Sequence, residues 1–312
     1  MAEFSRIAII GLGLIGSSLA RAVQLRLPSI YVVGTDNSAH VRQRAAELGI
    51  VDEVADTAAA AVRAAELVVI ATPLGAYAAI GREIAPELSA GAILSDVGSA
   101  KQVVLQTLTP LLPSHVELVP AHPVAGTEQS GPDAGFAELF EDRWCILTPP
   151  EGADAGAVAR LQAFWMAIGS TVETMDAHHH DLVLAVTSHV PHLIAYSIVG
   201  TAADLENVTR SEVIKYSAGG FRDFTRIAAS DPTMWRDVFL YNRDSVLEIL
   251  ARVTEDLTAL QRAIRWREGD ALFERFASSR AIRRAIIDAG QDTEAADFGR
   301  EGQRHPKSQP IS

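Results

Sequence analysis

The chain has one cysteine, Cys145, in 312 residues. That excludes an intrachain disulfide and suits a reducing compartment, so a cytoplasmic location is expected. It has no apolar run near the ~18 residues that a membrane-spanning helix needs. The opening MAEFSRIAIIGLG lacks a secretory pattern, because its short apolar run leads straight into glycines. Positive charge is in deficit: 27 Lys and Arg face 39 Asp and Glu, a net charge of −12. Such a chain gains no general attraction to nucleic acid or to anionic lipid, so neither is expected as a partner. An anionic small substrate stays open, because a local cationic pocket can oppose the global charge. A metal site is not expected either. Neighbouring side chains in His178-His179-His180 point in different directions on a helix, and no Cys or carboxylate completes a ligand set.

What is present has ordinary globular composition, 48% hydrophobic and 21% charged, with a length that suits two domains. Residues 6–11, 30–36, 66–73 and 92–98 are short β-branched runs that read as strands buried on both faces. Between them, apolar residues recur at helical spacing: Ile15, Leu19 and Val23 share one stripe. This alternation predicts βαβ units and an α/β N-terminal Rossmann-type parallel sheet domain. Further strands are expected at 116–122, 144–149 and 170–176, with a loop at 149–156. After Asp176 strand signals stop and helical periodicity takes over, predicting an all-α C-terminal domain. The expected division is 1–176, 177–290 and a polar, disordered tail at 291–312. Asp231-Pro232 is a helix start. The periodicity after it predicts one helix running past Leu260, about 30 residues and ~45 Å long. That is more than a small domain needs, which points to a homodimer packed through the C-terminal helices.

Gly11-Leu12-Gly13-Leu14-Ile15-Gly16 is GxGxxG, placed between a strand and a helix at the start of a βαβ unit. The first glycine allows the tight turn, the second lets backbone approach a pyrophosphate, and the third lets helix and strand pack closely. The helix N-terminus then offers N–H groups and partial positive charge to phosphates. Asp36 ends the next strand. A carboxylate there can accept from both ribose hydroxyls and repel a 2′-phosphate, so the expected cofactor is NAD. The other reading of Asp36 is a cap for the following helix, which Ser38 could supply instead. Thr72 and Pro73, after the third strand, either flank the nicotinamide or form a plain strand-ending turn.

In an open parallel sheet, ligands bind beyond the carboxyl ends of the strands. Two segments are expected at such ends, Asp96–Lys101 and His122–Glu128, and a third, Phe221–Arg226, comes from the helical half. Together, HPVAGTEQSG (122–131), DVGSAK (96–101), HDLVLAVTSHVPH (180–192) and GGFRDFTRIAASDPTMWRD (219–237) resemble the prephenate/arogenate (cyclohexadienyl) dehydrogenases of tyrosine biosynthesis. The resemblance covers about residues 5 to 290.

The resemblance implies an NAD-dependent oxidation. Hydride leaves C4 of a hydroxyl-bearing cyclohexadienyl ring, the ring carboxylate departs as CO₂, and the ring aromatises. Prephenate would give 4-hydroxyphenylpyruvate; arogenate would give tyrosine. It makes His122 the base for the ring hydroxyl, a role that suits an imidazole that is mostly neutral at cellular pH. It makes Ser99 a hydrogen-bonding partner near that histidine, and Arg226 the carboxylate-binding guanidinium. Asp223, three residues before Arg226, would orient it or form a surface ion pair. The resemblance puts His192 near the substrate side chain, with His189 able to face the cleft beside it. Trp235 would lie near the pocket or in the core. Glu128 would sit at the entrance or in a solvated loop. Lys101 would begin a helix or reach the site, and His180-Asp181 would shape the site or start a solvated helix. Two other readings stay open: a β-hydroxyacid or 6-phosphogluconate type dehydrogenase with a lysine base, for which this half offers Lys215, and a non-catalytic NAD-sensing dimer.

Overall fold

A computed structural model describes residues 4–204 and 219–288. Lys215 and the expected tail at 291–312 lie outside the described residues.

The first half is built on a six-stranded parallel sheet. Its strands are β1 (Arg6–Ile10), β2 (Tyr31–Thr35), β3 (Glu53–Val54), β4 (Leu67–Ile70), β5 (Ile93–Asp96) and β6 (Glu117–Leu118), in spatial order β3-β2-β1-β4-β5-β6. The order reverses beside β1, which opens the crevice where dinucleotides bind in this fold. Alternation along β1 divides the apolar residues between two cores. Ile7 and Ile9 join Leu19, Val23 and Phe164 on one face; Ala8 and Ile10 join Val68, Tyr77 and Val104 on the other. Each fully buried Ile, Val or Leu contributes about 1.5–3 kcal/mol, so this double burial holds the central strands. The helices covering the sheet are α1 (Leu14–Arg26), α2 (Ala39–Leu48), the single turn α3 (Ala58–Ala61), α4 (Tyr77–Ile84) and α5 (Gln102–Leu108).

The strand expected at 116–122 is two strands. After β6 the chain reaches Pro120, which has no N–H to give a ladder but accepts from Thr148 N–H through its carbonyl. There the chain changes sheets. β7 (Ala121–Pro123) pairs antiparallel with β8 (Trp144–Leu147), and β8 pairs parallel with β9 (Thr171–Thr174). His122 therefore stands opposite Ile146 in a second sheet, not at the end of a strand in the parallel one. Helix α6 (Ala155–Ala167), capped by the Asp154 side chain, lies between β8 and β9.

From Ala177 onward the described residues form helices. The elements are α7 (Ala177–Leu184), a π-helical turn (Ala185–His189), α8 (Val190–Asp204), α9 (Gly219–Thr225), α10 (Pro232–Tyr241), α11 (Arg243–Trp266) and α12 (Gly269–Asp288). Asp231 caps α10 by accepting from Thr233 and Met234 N–H, as the Asp-Pro start predicts. The single long helix expected beyond it is broken at Asn242, whose backbone sits at φ −102 and ψ 33. The break has a cause in the site: the Asn242 side chain is drawn into a buried polar layer. The run Ala177–Asp204 is long and apolar enough to cross a membrane by length and composition. Only 28% of its most apolar window is buried; His180, Asp181 and His189 are among its buried side chains, while Val186, Ile198 and Val199 are exposed.

Candidate active site

The glycine turn forms a cradle. Gly11 has φ +99, and a Cβ there would come within 2.6 Å of the Ala71 carbonyl oxygen. At Gly16 a Cβ would fall 1.9 Å from the Gly11 carbonyl oxygen, so helix and turn could not close together. Gly13, the N-cap of α1, has nothing within 4 Å of its Cβ position, so its outer face is open to a ligand. A cavity of about 510 Å³ lies against it, lined by Gly11, Gly13, Asp36, Arg42, Thr72 and Pro73 among others. Asp36 does not cap α2; Ser38 does, accepting from Val41 N–H. The Asp36 carboxylate instead accepts from Leu12 N–H at 3.0 Å and from Ser38 N–H at 2.9 Å. Each oxygen keeps a lone pair for a further donor. These free acceptor positions therefore fit the hydroxyls of a dinucleotide with an unphosphorylated ribose. Arg42, which sequence reasoning missed, sits on the same wall and donates to the Asp36 carbonyl.

Beyond β5, the polar side chains are buried. Lys101 and Asp96 form an ion pair at 2.6 Å with both side chains fully buried. Asp96 also accepts from the Tyr77 hydroxyl and from the Gly98 and Ala121 amides. The second contact of Lys101 Nζ is the carbonyl of Ala121, the residue before His122. Lys101 is also the N-cap residue of α5, so both readings of it hold. Burial lowers its ammonium from the ordinary value, and Asp96 opposes that shift. The apolar strand ILSD ending in a carboxylate, with a lysine five residues on, was the available signal for this pair.

His122 lies directly above. Its Nδ1 meets His180 Nε2 at 2.8 Å, and His180 Nδ1 meets Asp181 Oδ1 at 2.9 Å. Asp181 also accepts from the Lys101 and Gln102 amides. His180 and Asp181 are thus buried and joined to the site, and the solvated helix start is ruled out. Burial pushes the His122 ring well below the usual imidazole value, with His180, Lys101 and His189 acting in the same direction. Among the described residues, His122 Nε2 has no hydrogen-bond partner. His189 accepts from Asn242 Nδ2 at 3.0 Å, and the same amide donates to the Asp181 carbonyl. Burial lowers His189 to about 4. Among the described residues its buried Nε2 meets no partner in hydrogen-bond geometry, and the nearby Ser99 backbone opposes the downward shift. Ser99 itself is half-buried in the loop after β5. No hydrogen bond joins its hydroxyl to His122 among the described residues.

The outer part of the site is cationic and aromatic. His192 stacks on Trp235 with ring centroids 3.7 Å apart, and its Nδ1 is tied to the Ser188 carbonyl. Burial lowers the His192 ring from its ordinary value, and Arg226 adds to that shift. Trp235 is buried and also packs against His189 and Phe239, so it joins the core to the two histidines. Arg226 begins the short turn after α9 and is 42% exposed; its Nη1 reaches Glu128 at 3.2 Å. The guanidinium thus meets a carboxylate from the loop after β7. Asp223 lies over Gly219 on α9. A contact that sequence reasoning missed ties the halves together: buried Asp237 on α10 accepts from Gly75 N–H at 3.0 Å, just past Thr72-Pro73 on the cavity wall.

A dinucleotide cradle, an imidazole kept neutral and a half-exposed guanidinium define a nicotinamide-dependent dehydrogenase of a small anionic substrate. The family models for the prephenate dehydrogenase nucleotide-binding domain and dimerization domain match residues 19–174 and 176–278. The chain is 46% identical to a cyclohexadienyl dehydrogenase of Zymomonas mobilis over 92% of this chain and 97% of that protein. It is 35% identical to a prephenate dehydrogenase of Bacillus subtilis, over 89% of this chain and 75% of that one. Among solved structures, prephenate dehydrogenase of Aquifex aeolicus in complex with hydroxyphenyl propionate and NAD+ superposes with a TM-score of 0.82 at 31% identity, covering 91% of this chain and 98% of that one. The chain belongs to the prephenate dehydrogenase family. That membership replaces the β-hydroxyacid reading.

Proposed function

We propose that this enzyme catalyses the NAD-dependent oxidative decarboxylation of prephenate, arogenate or both, in the cytoplasm, with His122 as the base. The observation that carries the reading is a buried, neutral His122 with Nδ1 engaged and, among the described residues, no partner at Nε2. NAD, when bound, accepts the hydride from ring C4. The chain's own residues do the rest. Gly11 through Gly16 would hold the pyrophosphate at the N-terminus of α1, Asp36 would take the ribose, and Thr72 and Pro73 would flank the nicotinamide end. Nε2 of His122 removes the proton of the ring hydroxyl as the carbonyl forms, and loss of the ring carboxylate then restores aromaticity. Ser99 supports the hydroxyl from the loop after β5. Arg226 clamps a substrate carboxylate, exchanging Glu128 for it, while His192 on the Trp235 face meets the side chain. His189 and Asp223 support this wall from behind.

The division near Asp176 separates the cofactor half from the substrate half. We further infer a homodimer through α11 and α12, which leave Leu257, Ile264, Trp266, Phe273, Phe276 and Ile282 exposed, Phe273 at 73%. The test is to mix the protein with NAD and either substrate and follow NADH absorbance, with both substrates side by side. Turnover with either one supports the reading. NAD binding without turnover on both would leave the NAD-sensing dimer as the function.

A further inference from the structure

We propose that Asp181 and His180 are positioning residues: the hydrogen-bonded chain Asp181–His180–His122 sets the tautomer of His122 so that Nε2 is its basic atom. This rests on the reading of His122 as the base, and it adds the reason why one ring nitrogen and not the other does the work.

The protons can be assigned from the donors outward. Asp181 is surrounded by donors: the Lys101 amide at 2.7 Å, the Gln102 amide at 3.0 Å and the His180 ring. Burial alone would raise its carboxyl, but the His180 ring and the two amides outweigh burial and hold it below the usual value. An ionised carboxylate has no proton to give, so the proton in the 2.9 Å contact belongs to His180 Nδ1. Burial lowers His180 as a whole, so the ring carries one proton and its Nε2 is bare. The 2.8 Å contact with His122 then requires a proton on His122 Nδ1. His122 is neutral as well, which leaves Nε2 as a lone pair.

The reverse arrangement fails. If His180 carried its proton on Nε2, it would donate to His122 Nδ1, push the His122 proton onto Nε2 and abolish the base. A doubly protonated His180 would do the same, and the buried Lys101 ammonium opposes that extra charge. Other charged or titratable groups act on this pair from several elements: Asp96 at the end of β5, Cys145 on β8 through Lys101, Asp181 on α7, and His189 in the π-helical turn. In the reaction the substrate O–H bond breaks and an N–H bond forms at His122 Nε2. The resulting imidazolium keeps its Nδ1–H donated to His180, whose other side faces the Asp181 carboxylate. No second proton needs to move.

Spectroscopy and kinetics on the full chain test this. In long-range ¹H–¹⁵N spectra of histidine-labelled protein at pH 8, without ligand, His122 and His180 are both expected to show Nδ1–H and bare Nε2. His122 in the Nε2–H form overturns the proposal. In the kinetic arm, His180→Leu removes the acceptor and is expected to lower kcat about 10²-fold or more, with KM and NAD affinity close to wild type. His180→Gln offers an amide oxygen to His122 Nδ1–H and is expected to recover most of that loss. A purely structural role would make both variants alike, and that result counts against the proposal. Asp181→Asn can turn its amide toward His180 and invert both rings; inversion behind a catalytic imidazole costs about 10⁴-fold in serine hydrolase triads. His122→Asn separates the two readings. If it keeps turnover, the base assignment falls. If it loses turnover while His180→Leu keeps it, only the relay falls.

Discussion

The glycine cradle and the histidine layer are built by opposite means. The cradle is six consecutive residues plus Asp36, is open to solvent, and depends on what its glycines lack. A side chain at Gly11 or Gly16 would strike backbone, and one at Gly13 would project into the open space beside the turn. The histidine layer gathers residues from the β5 loop, β7, α7, the π-helical turn and the α10–α11 junction, and it depends on buried polar groups. In the cradle a lost hydrogen bond is replaced by water. In the layer it leaves a buried group unpaired, which costs about 1–3 kcal/mol and more for a charge. Geometry set by neighbours in sequence tolerates solvent; geometry assembled from distant segments needs burial to become unique.

This contrast can be broken in order of expected effect. His122→Asn should lower kcat by about 10²–10⁴-fold and leave the NAD dissociation constant unchanged. Kinetics and calorimetric titration read the two quantities, and a parallel loss of NAD affinity would mean that layer and cradle are one unit. Lys101→Met leaves Asp96 charged and unpaired in the core, so urea unfolding should show a loss of about 3–5 kcal/mol. Arg42→Met on the cradle wall, facing solvent-exposed Asp56, should cost under about 1 kcal/mol. Equal losses would erase the distinction.

Acid should act on the layer first. The ordinary imidazole value is 6.5 and native His189 sits at about 4, so the unfolded chain binds more protons between them. Stability is at full value above pH 6.5 and falls as pH drops to about 4, by about 3 kcal/mol from His189 alone. His122 and His180, also lowered, add in the same direction. A flat urea midpoint across that window would show that these rings are already charged in the native protein. Arg226→Ala should raise KM for the substrate about tenfold to a hundredfold, the worth of a hydrogen bond to a charged group, with little change in kcat. An unchanged KM moves the clamp elsewhere. Asp36→Ala is expected to give about tenfold better use of NADP, equivalent to about 1.4 kcal/mol. An unchanged preference would limit Asp36 to bracing the turn through Leu12.

What was legible in the sequence follows the same division. Strand and helix alternation, the glycine turn and the Asp231-Pro232 start are local patterns, and each stands where its period or cap put it. The motifs at 96–101, 122–131 and 219–237 marked three of the segments that meet. The sheet change at Pro120 was hidden because a β-branched run reads alike in either sheet. The helix break at Asn242 was hidden because apolar spacing continues across it, while its cause, hydrogen bonds to Asp181 and His189, lies more than fifty residues away in the chain. His180 and Asp181 could be recognised as a pair, but their burial could not, since the same dipeptide starts many solvated helices. Lys101-Asp96 was missed because charges are seldom placed in a core.

Asn242 has one more consequence. A residue between two helices is ordinarily a free hinge, replaceable by whatever turns the chain. Here its amide clasps the two arms of the histidine layer, the Asp181 carbonyl and the His189 ring. A substitution that straightened α10 into α11 would make a better rod and free both arms, because the joint itself holds the Asp181 carbonyl and the His189 ring in place.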